Sequence, residues 1–391
     1  MPSTLERLAV PQHADESILN RGRRQELLTK AFESRSGRER PGQFWKIDLD
    51  GLDFSALDVA PPSTPQIKAP NKPGVIACDL ATAARKHPQL FARAFGSAAG
   101  ALNTKFATLA TALCNTGAFI YVPADQAVDD PIEITYTVEN GALFPYTLVL
   151  LDRGAHCTII ERLEGRTGDT VCGIAEISGG ENSSVTYASE QNLPAETQAF
   201  FTRVAAPGKD ASVTWCLAEL GAALAVTSVD VAIDNPGVQA QLNGFFFPRD
   251  NQHVDLLSTI RHNVGESQSQ TLIKSAATGR GQARYLGNIR IAPHAQGTQA
   301  SLRDDALLLS PHAHIDSVPA LEIGANDVKA FHGATIGALD ENVIFYMESR
   351  GITRAAAEKM IALGFFEPVI ERFPTEALRS RLRSALEDKI A

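Results

Sequence analysis

The chain has 391 residues, of which 44% are hydrophobic and 21% charged, a composition that excludes wholesale disorder. Its 36 Lys and Arg residues against 45 Asp and Glu residues give a net charge of −9, which argues against a nucleic-acid partner because phosphate binding favours a basic surface. No apolar run approaches the roughly 18 residues that a membrane span needs.

The N-terminal part of the chain is predicted to be largely helical. Residues 14–34 carry apolar side chains at helical spacing. Five prolines make residues 58–74 an extended linker. Two segments rich in Ala and Leu, at about 79–95 and 103–114, predict further helices, with a break near Pro88.

A β-rich body follows from Gly117 to about residue 337. Its short runs, such as YTLVLL, SVTYA, SVTWCL and TLIKSA, are rich in β-branched and aromatic residues and are separated by Gly, Asn, Asp or Pro. A turn-then-strand unit recurs every 26 to 32 residues, as one coil of a β-solenoid requires, and a β-sandwich with irregular loops stays open as the alternative. The glycines that mark this period are Gly154, Gly180, Gly208, Gly237, Gly265, Gly297 and Gly324.

Three helices are predicted at the C-terminal end. Asp340 and Thr353 are each placed to cap the start of a helix, and the second of these helices is expected to end near Gly364. A third helix follows Pro374 and has one apolar face. That face contains Leu378, Leu382 and Leu386.

The sequence contains no convincing catalytic constellation. A phosphate loop of the G-x-x-x-x-G-K-[ST] type, a G-x-S-x-G motif and a C-x-x-C pair are all absent, and the adjacent carboxylates Asp304 and Asp305 cannot be assigned acid and base roles. The five cysteines are expected to be buried, inert thiols. Their odd number, together with charged residues at positions 6 and 7 where a signal peptide would be apolar, predicts a cytoplasmic protein.

Three histidines stand out as candidate ligands. His312 and His314 would face the same side of a strand and could begin a metal site, but the following carboxylates, Asp316 and Glu322, lack the spacing of a cupin-type site. Surface histidines are the favoured interpretation, and a homodimeric metal-binding protein that uses this pair stays a hypothesis. His332 differs, because it lies in the last β segment, where an edge strand would meet a partner.

The sequence around His332 resembles the C-terminal signature of the SufB/SufD family of iron–sulfur cluster assembly proteins. Four blocks occur in the family's order, namely LLLS, PALEI, DVKAFHGATIGALD and FYMESRGI. The likeness covers roughly residues 100–370, and the chain length and the HGAT sequence are most like the SufD branch.

The resemblance implies a mainly β fold. A right-handed parallel β-helix at residues 116–338 would lie between an N-terminal helical region, 1–115, and a C-terminal helical domain, 339–391. The chain would be a scaffold subunit and not an enzyme, pairing with a SufB-like subunit and docking a SufC-like ATPase of the ABC type. It would bind no cofactor by itself, and an iron–sulfur cluster would be transient in the complex. A homodimer of the isolated chain stays open.

The resemblance also implies a set of site residues. His332 matches the histidine that the family places at the SufB interface, where it would help to hold the nascent cluster. The surrounding interface would contain Asp327, Val328, Lys329, Ala330, Phe331, Gly333 and Ala334. The ATPase would dock at Phe345, Tyr346, Arg350 and Gly351 and on the helix that follows. Many relatives read V-K-C-S-H-G where this chain reads V-K-A-F-H-G, so Ala330 replaces a thiol near the proposed site.

The alternative function is a β-helical enzyme that acts on an extended polymer such as a polysaccharide. The long groove of a solenoid suits such a substrate. The net charge of −11 over residues 41–340 and the absence of a secretion signal weigh against it.

Overall fold

The computed structural model describes residues 21–33, 57–98, 104–139, 141–166 and 168–390. The helices in these ranges are α1 (Arg21–Glu33), α2 (Leu80–Lys86), α3 (Pro88–Ala94), α4 (Lys105–Leu113), α5 (Glu341–Ser349), α6 (Arg354–Ile370) and α7 (Glu376–Ile390). The strands are β1 (Gln66–Lys68), β2 (Ile76–Asp79), β3 (Thr116–Val122), β4 (Ala127–Val138), β5 (Pro145–Leu151), β6 (His156–Gly165), β7 (Thr170–Gly179), β8 (Ser184–Gln191), β9 (Gln198–Ala206), β10 (Ser212–Glu219), β11 (Leu224–Ile233), β12 (Gln239–Phe246), β13 (His253–His262), β14 (Gln268–Ala277), β15 (Gln282–Ile291), β16 (Thr298–Leu308), β17 (His314–Ile323) and β18 (Val328–Ala338). Within the described part of the chain, no helix has the length and apolar character of a membrane span.

From β3 to β18 the chain winds as a β-solenoid of about eight turns. Consecutive strands alternate between two parallel sheets, which we call the even sheet and the odd sheet after the strand numbers. Each strand pairs with the strand two places along, so that His156 lies beside Ser184 and Ser184 beside Ser212. Along the even sheet, equivalent residues are 27 to 31 positions apart. The predicted β-helix between helical regions is confirmed.

The main core lies inside the coils, where the inward-facing side chains of both sheets stack in rows. One such row runs from Ile159 through Tyr187 and Trp215 to Leu242, with one residue from each coil. A single coil would leave its inward-facing side chains in contact with water. Burying one large apolar side chain contributes about 1.5–3 kcal/mol to the free energy of unfolding. Stacking of many coils therefore stabilises the fold.

The turn before each even-numbered strand from β4 to β16 contains a left-handed backbone position. These positions have φ between 55° and 74°, and they are occupied by Asp125, Gly154, Asn182, Asp210, Gly237, Glu266 and Gly297. Backbone hydrogen bonds connect successive turns, as when the Asn182 N–H donates to the Lys209 carbonyl. Asn, Asp and Glu therefore take the place of glycine in most of these coils, so the glycine period in the sequence follows the structural repeat only in part.

The N-terminal helices cover the outer face of the odd sheet. The rings of Phe106 in α4 and Phe200 in β9 stack with their centroids 4.4 Å apart. Arg24 in α1 donates to the carbonyl oxygens of Ala112 (2.9 Å) and Cys114 (2.6 Å), which satisfies acceptors at the end of α4. The predicted break at Pro88 is confirmed, since this residue begins α3. Of the helix predicted at 14–34, residues 14–20 and 34 lie outside the described residues.

The proline-rich segment at residues 58–74 lies against the start of the solenoid. β1, within this segment, pairs antiparallel with β4, and β2 pairs antiparallel with β3. Both sheets are therefore covered at their N-terminal edges by strands of the same chain.

The helices α6 and α7 pack on the outer face of the even sheet. The predicted caps are confirmed, because the Asp340 and Thr353 side chains accept backbone N–H groups at the starts of α5 and α6. The predicted apolar face of the third helix is buried. The predicted end near Gly364 is wrong, because α6 continues to Ile370 and buries Phe366 against the even sheet. This burial outweighs the helix penalty of glycine, about 1 kcal/mol.

Substituting Gly364 is expected to stabilise the protein. A Cβ at this exposed helix position meets no atom within 4 Å, so Gly364→Ala should raise the free energy of unfolding by about 0.5–1 kcal/mol. Gly265→Ala should lower it by about 1–3 kcal/mol, because its Cβ would lie 2.1 Å from the Gln296 carbonyl oxygen of the next coil. Chemical denaturation of both variants tests this, and shifts of the same sign would contradict it.

Candidate interaction surfaces at the C-terminal end of the solenoid

The last coil of the solenoid is uncovered within the described part of the chain. β18 pairs only with β16, and β17 is likewise the terminal strand of the odd sheet, next to β15. Residues 331–338 are exposed to solvent. A strand edge with unpaired N–H and C=O groups is typical of a surface that meets another chain.

His332 is an inward-facing residue of this uncovered coil. In the strand register it lies beside Leu302, which in turn lies beside Thr271 and belongs to the row of core residues. Leu302 is buried in the core, whereas His332 is exposed because no coil follows it. No described residue forms a hydrogen bond or an ion pair with its imidazole. The ring therefore projects at the open end of the lumen, the space enclosed by the coils.

The other predicted interface residues lie along the same strand. Val328, Ala330 and Ala334 share the inward side with His332, because side chains alternate along a strand. Ala330 is half-buried against the core, and the side chains of Lys329 and Phe331 point to the outer face, on the same side of the strand as Gly333. Asp327 precedes the strand and its N–H donates to Gln296 Oε1 at 2.8 Å.

Exposed apolar side chains surround this strand. Phe331 is 64% exposed and Ile336 is 47% exposed on β18, while Val318 and Ile323 of β17 are 39% and 43% exposed. We call these four residues, with His332, the end surface. Sequence patterns did not identify Ile336, Val318 and Ile323, because an apolar residue on the last strand looks the same as one covered by a further coil.

A groove adjoins the end surface on the outer face of the even sheet. It has a volume of about 510 Å³, and Lys329 and Phe331 form its outermost wall. Its floor is a ladder of glutamines from three successive strands, Gln239, Gln241, Gln268, Gln270 and Gln299. The groove therefore runs from Phe331 on β18 across β16 and β14 to β12, and its floor is polar.

A second apolar surface lies on the helix that follows the solenoid. Phe345 and Tyr346 in α5 are 72% and 59% exposed, and Val343 in the same helix and Met360 in α6 are also exposed. The Arg350 guanidinium lies 5.2 Å from the centroid of the Tyr346 ring, and Gly351 ends the turn with φ of 84°. The four residues predicted to dock an ATPase therefore lie together on α5 and in the turn that follows it. We call this region the α5 surface.

The cysteines do not form a reactive site in the described residues. Burial raises the pKa of Cys114 to about 11 and those of Cys157 and Cys216 to about 12. Burial also raises the pKa values of Cys78 and Cys172. Thiolates are therefore disfavoured, which agrees with the expectation of inert thiols. Cys78 is only half-buried, so the expectation that all five cysteines are buried is wrong for this residue.

One of the two candidate histidines, His314, lies on β17, whereas His312 lies in the turn before this strand. The prediction that both would face the same side of a strand is therefore wrong. His314 Nε2 lies 3.1 Å from Asp316 Oδ1. Within the ranges that the structure describes, no three His, Cys, Asp or Glu side chains are grouped closely enough to hold a metal ion. A metal site at His312 and His314 would need donors from another chain.

A β-solenoid with helices on both outer faces and an uncovered last coil defines the structural class of this protein. The family described as SUF system FeS cluster assembly, SufBD core domain, matches residues 134–365, and the SufBD protein N-terminal region matches residues 58–134. The chain belongs to the SufBD family.

Relatives with curated names agree with this assignment. The iron–sulfur cluster assembly protein SufD of Bacillus subtilis is 29% identical over 324 residues, which cover 81% of this chain and 74% of the relative. A SufBD family iron–sulfur cluster assembly protein of Staphylococcus epidermidis is 26% identical over 308 residues, or 78% of this chain and 66% of the relative. The same values apply to a SufBD family protein of Staphylococcus haemolyticus. The chain thus spans slightly less than two thirds of the length of these staphylococcal relatives.

Proposed function

We propose that this chain is a non-catalytic, cytoplasmic scaffold subunit of iron–sulfur cluster assembly by the SUF system. Membership of the SufBD family supports the role in cluster assembly. The observation that carries the finer proposal is the uncovered last coil, which combines an open strand edge with exposed apolar side chains. We divide the chain into a helical region (1–115), the solenoid (116–338) and a C-terminal helical domain (339–391).

The end surface pairs with a SufB-like subunit. Phe331 and Ile336 supply apolar contact area, and the free edge of β18 supplies backbone hydrogen-bonding groups to a partner strand. Aromatic side chains at the centre of an interface commonly carry much of the binding energy. A partner solenoid that is also open at one end would continue the stacking of coils across the interface.

His332 binds the nascent cluster, which is the cargo of the assembly and not a resident cofactor of this chain. A neutral imidazole nitrogen suits iron, and one ligand from each subunit gives a site that can release what it holds. The half-buried Ala330 provides no donor atom. The remaining ligands would come from the partner.

The α5 surface docks a SufC-like ATPase. Phe345 and Tyr346 are large aromatic side chains with most of their area in solvent, and Arg350 beside them adds a cation. An apolar patch with a polar rim is typical of a protein–protein interface. ATP hydrolysis would belong to the partner.

Two matched variants separate the partner surfaces. Phe331→Asp is expected to weaken binding to the isolated SufB-like subunit at least about tenfold, since a charge would be buried in the interface, and to leave binding to the isolated ATPase unchanged. Phe345→Asp is expected to have the reverse pattern. Each pair is titrated separately by calorimetry.

The control is Gln89→Asp on the exposed surface of α3, which should change neither affinity. Wild-type affinity of Phe331→Asp for the SufB-like subunit would refute the role of the end surface. Failure of the wild-type chain to bind either partner would refute the scaffold function. We also propose that the isolated chain pairs with a second copy through the same surface, so its dimer, measured by light scattering, should dissociate in Phe331→Asp.

A further inference from the structure

The lumen of the last coils contains polar atoms without a partner in the described part of the chain. Both carboxylate oxygens of Asp304 are buried and form no hydrogen bond, and the hydroxyl groups of Thr271, Ser275 and Ser317 are also unpartnered. All four side chains face inward, because their register neighbours belong to the main core. Buried polar groups without partners are rare, and each requires a physical explanation.

Asp304 differs from the other lumen carboxylates. Glu161 is 2.6 Å from Arg203 and accepts hydrogen bonds from hydroxyl groups, and Glu219 accepts a hydrogen bond from Thr227 at 2.9 Å. Asp304 is 0% exposed and has no ion-pair partner among the described residues, and the Ser317 hydroxyl beside it does not reach hydrogen-bond geometry. Burial raises its pKa to about 7, although the Ser317 hydroxyl beside it opposes this rise.

The adjacent Asp305, on the same strand, is a carboxylate whose oxygens have an ion-pair partner and a hydrogen-bond donor. It faces the outside of the even sheet, where Lys274 Nζ lies 2.8 Å away and the Thr335 hydroxyl donates to it at 2.7 Å. An unpartnered buried charge costs several kcal/mol, so Asp304 needs either a proton or a cation from solution. The two adjacent residues provide a matched pair for comparison.

The position of Asp304 relates it to the end surface. It lies beside Ala334 in the register, and His332 lies beside Leu302 on the same two strands. Ile273, Asp304 and Ala334 follow one another across three successive strands of the even sheet. Among these stacked residues, the methyl group of Ala334 alone separates the Asp304 carboxylate from the open end of the solenoid. One carboxylate and nearby hydroxyl groups are oxygen donors, which suit divalent cations such as Mn²⁺ and, less selectively, Fe²⁺.

We propose that Asp304 binds a divalent cation in the lumen, one coil below His332 and beneath Ala334, with the hydroxyl groups of Thr271, Ser275 and Ser317 and water as further oxygen donors. The cation site itself depends only on the isolated chain. The assignment of Fe²⁺ as the cation bound during cluster assembly rests on the proposed function. Asp304 would then hold iron one coil below the imidazole.

The test uses the full-length, metal-free chain and Mn²⁺, whose free-ion signal in electron paramagnetic resonance disappears on binding. The wild-type chain is expected to bind one Mn²⁺ ion, and anaerobic Fe²⁺ should displace it. Asp304→Asn should weaken Mn²⁺ binding about tenfold or more, because it removes the only charged ligand. Asp305→Asn should bind Mn²⁺ as the wild-type chain does.

Thermal melting checks that both variants fold, and Asp304→Asn should melt no lower than wild type in the absence of metal, since it removes an unpaired buried charge. Equal Mn²⁺ affinity in Asp304→Asn and wild type, or no binding by wild type, would overturn the proposal. An infrared band of a protonated carboxyl that persists in excess Mn²⁺ and is absent from Asp304→Asn would overturn it as well. These measurements involve no partner, so failure of the scaffold function would leave their outcome unchanged.

Discussion

Replacing Arg203 by Met is expected to lower the free energy of unfolding by about 3–5 kcal/mol. Arg203 Nη2 lies 2.6 Å from Glu161 Oε1, and both side chains are only 2% exposed inside the lumen. The hydroxyl groups of Thr147 and Tyr187 also donate to Glu161, at 2.9 and 2.6 Å, but they carry no charge. Removing the guanidinium therefore leaves a buried carboxylate without a counter-charge.

The control for this prediction is an ion pair of the same type on the surface. Arg153 and Asp125 are 2.8 Å apart and more than 60% exposed, so Arg153→Met should cost less than about 1 kcal/mol. Adding Glu161→Gln to Arg203→Met should recover part of the loss, because no unpaired charge remains. Urea denaturation followed by circular dichroism measures all four chains. A loss in Arg203→Met no larger than that in Arg153→Met would contradict the argument.

Local patterns predicted the elements of the fold well. Runs such as SVTWCL and TLIKSA lie within β10 and β14, and the break at Pro88 and the caps at Asp340 and Thr353 occur as predicted. These features depend on residues close together in the sequence. The end of α6 was mispredicted, because burial of Phe366 against the even sheet depends on residues over a hundred positions away.

The coil repeat was predicted only in part, for a physical reason. A left-handed backbone position recurs in the turns, but Asn182, Asp210 and Glu266 occupy it as well as glycine. Short polar side chains tolerate this conformation better than most residues do. The period is therefore a property of the backbone, and glycine positions mark it incompletely.

The candidate site required the three-dimensional arrangement. The motif around His332 identified the strand, but nothing in the sequence distinguishes Asp304, which faces the lumen, from Asp305, which pairs with Lys274 outside. Strand alternation places adjacent residues on opposite faces, but it does not say which face is inside. The exposure of Ile336 cannot be predicted from the sequence either, because it results from the absence of a covering coil among the described residues.

Two histidines illustrate how position in the solenoid decides chemistry. His262 is buried, with Nδ1 2.7 Å from the Ser267 hydroxyl and Nε2 2.8 Å from the Ser269 hydroxyl, and burial lowers its pKa to about 4. Both ring nitrogens are therefore engaged within the chain. His332 faces inward at the uncovered coil, and no described side chain engages its ring. Only the second imidazole is available to a ligand from outside.

His332→Ala is therefore expected to abolish most cluster assembly in the complex while leaving the complex intact. The substitution would remove the proposed ligand of the nascent cluster but keep the exposed apolar side chains of Phe331 and Ile336. Loss of a direct ligand should lower cluster content by about tenfold or more. The measurement is iron and sulfide content, with the visible absorption spectrum, of the complex co-purified with SufB-like and SufC-like partners.

The matched control is His314→Ala on the neighbouring edge strand. His314 is also an exposed histidine of the last coil, but in the register it lies beside exposed Gln282 and its ring contacts Asp316. Its removal should leave cluster content unchanged. His332→Cys should retain part of the cluster, since a thiolate can replace the imidazole as a ligand of iron. Wild-type cluster content in His332→Ala would exclude the ligand role, whereas loss of the partners from that variant would reassign His332 to the protein interface.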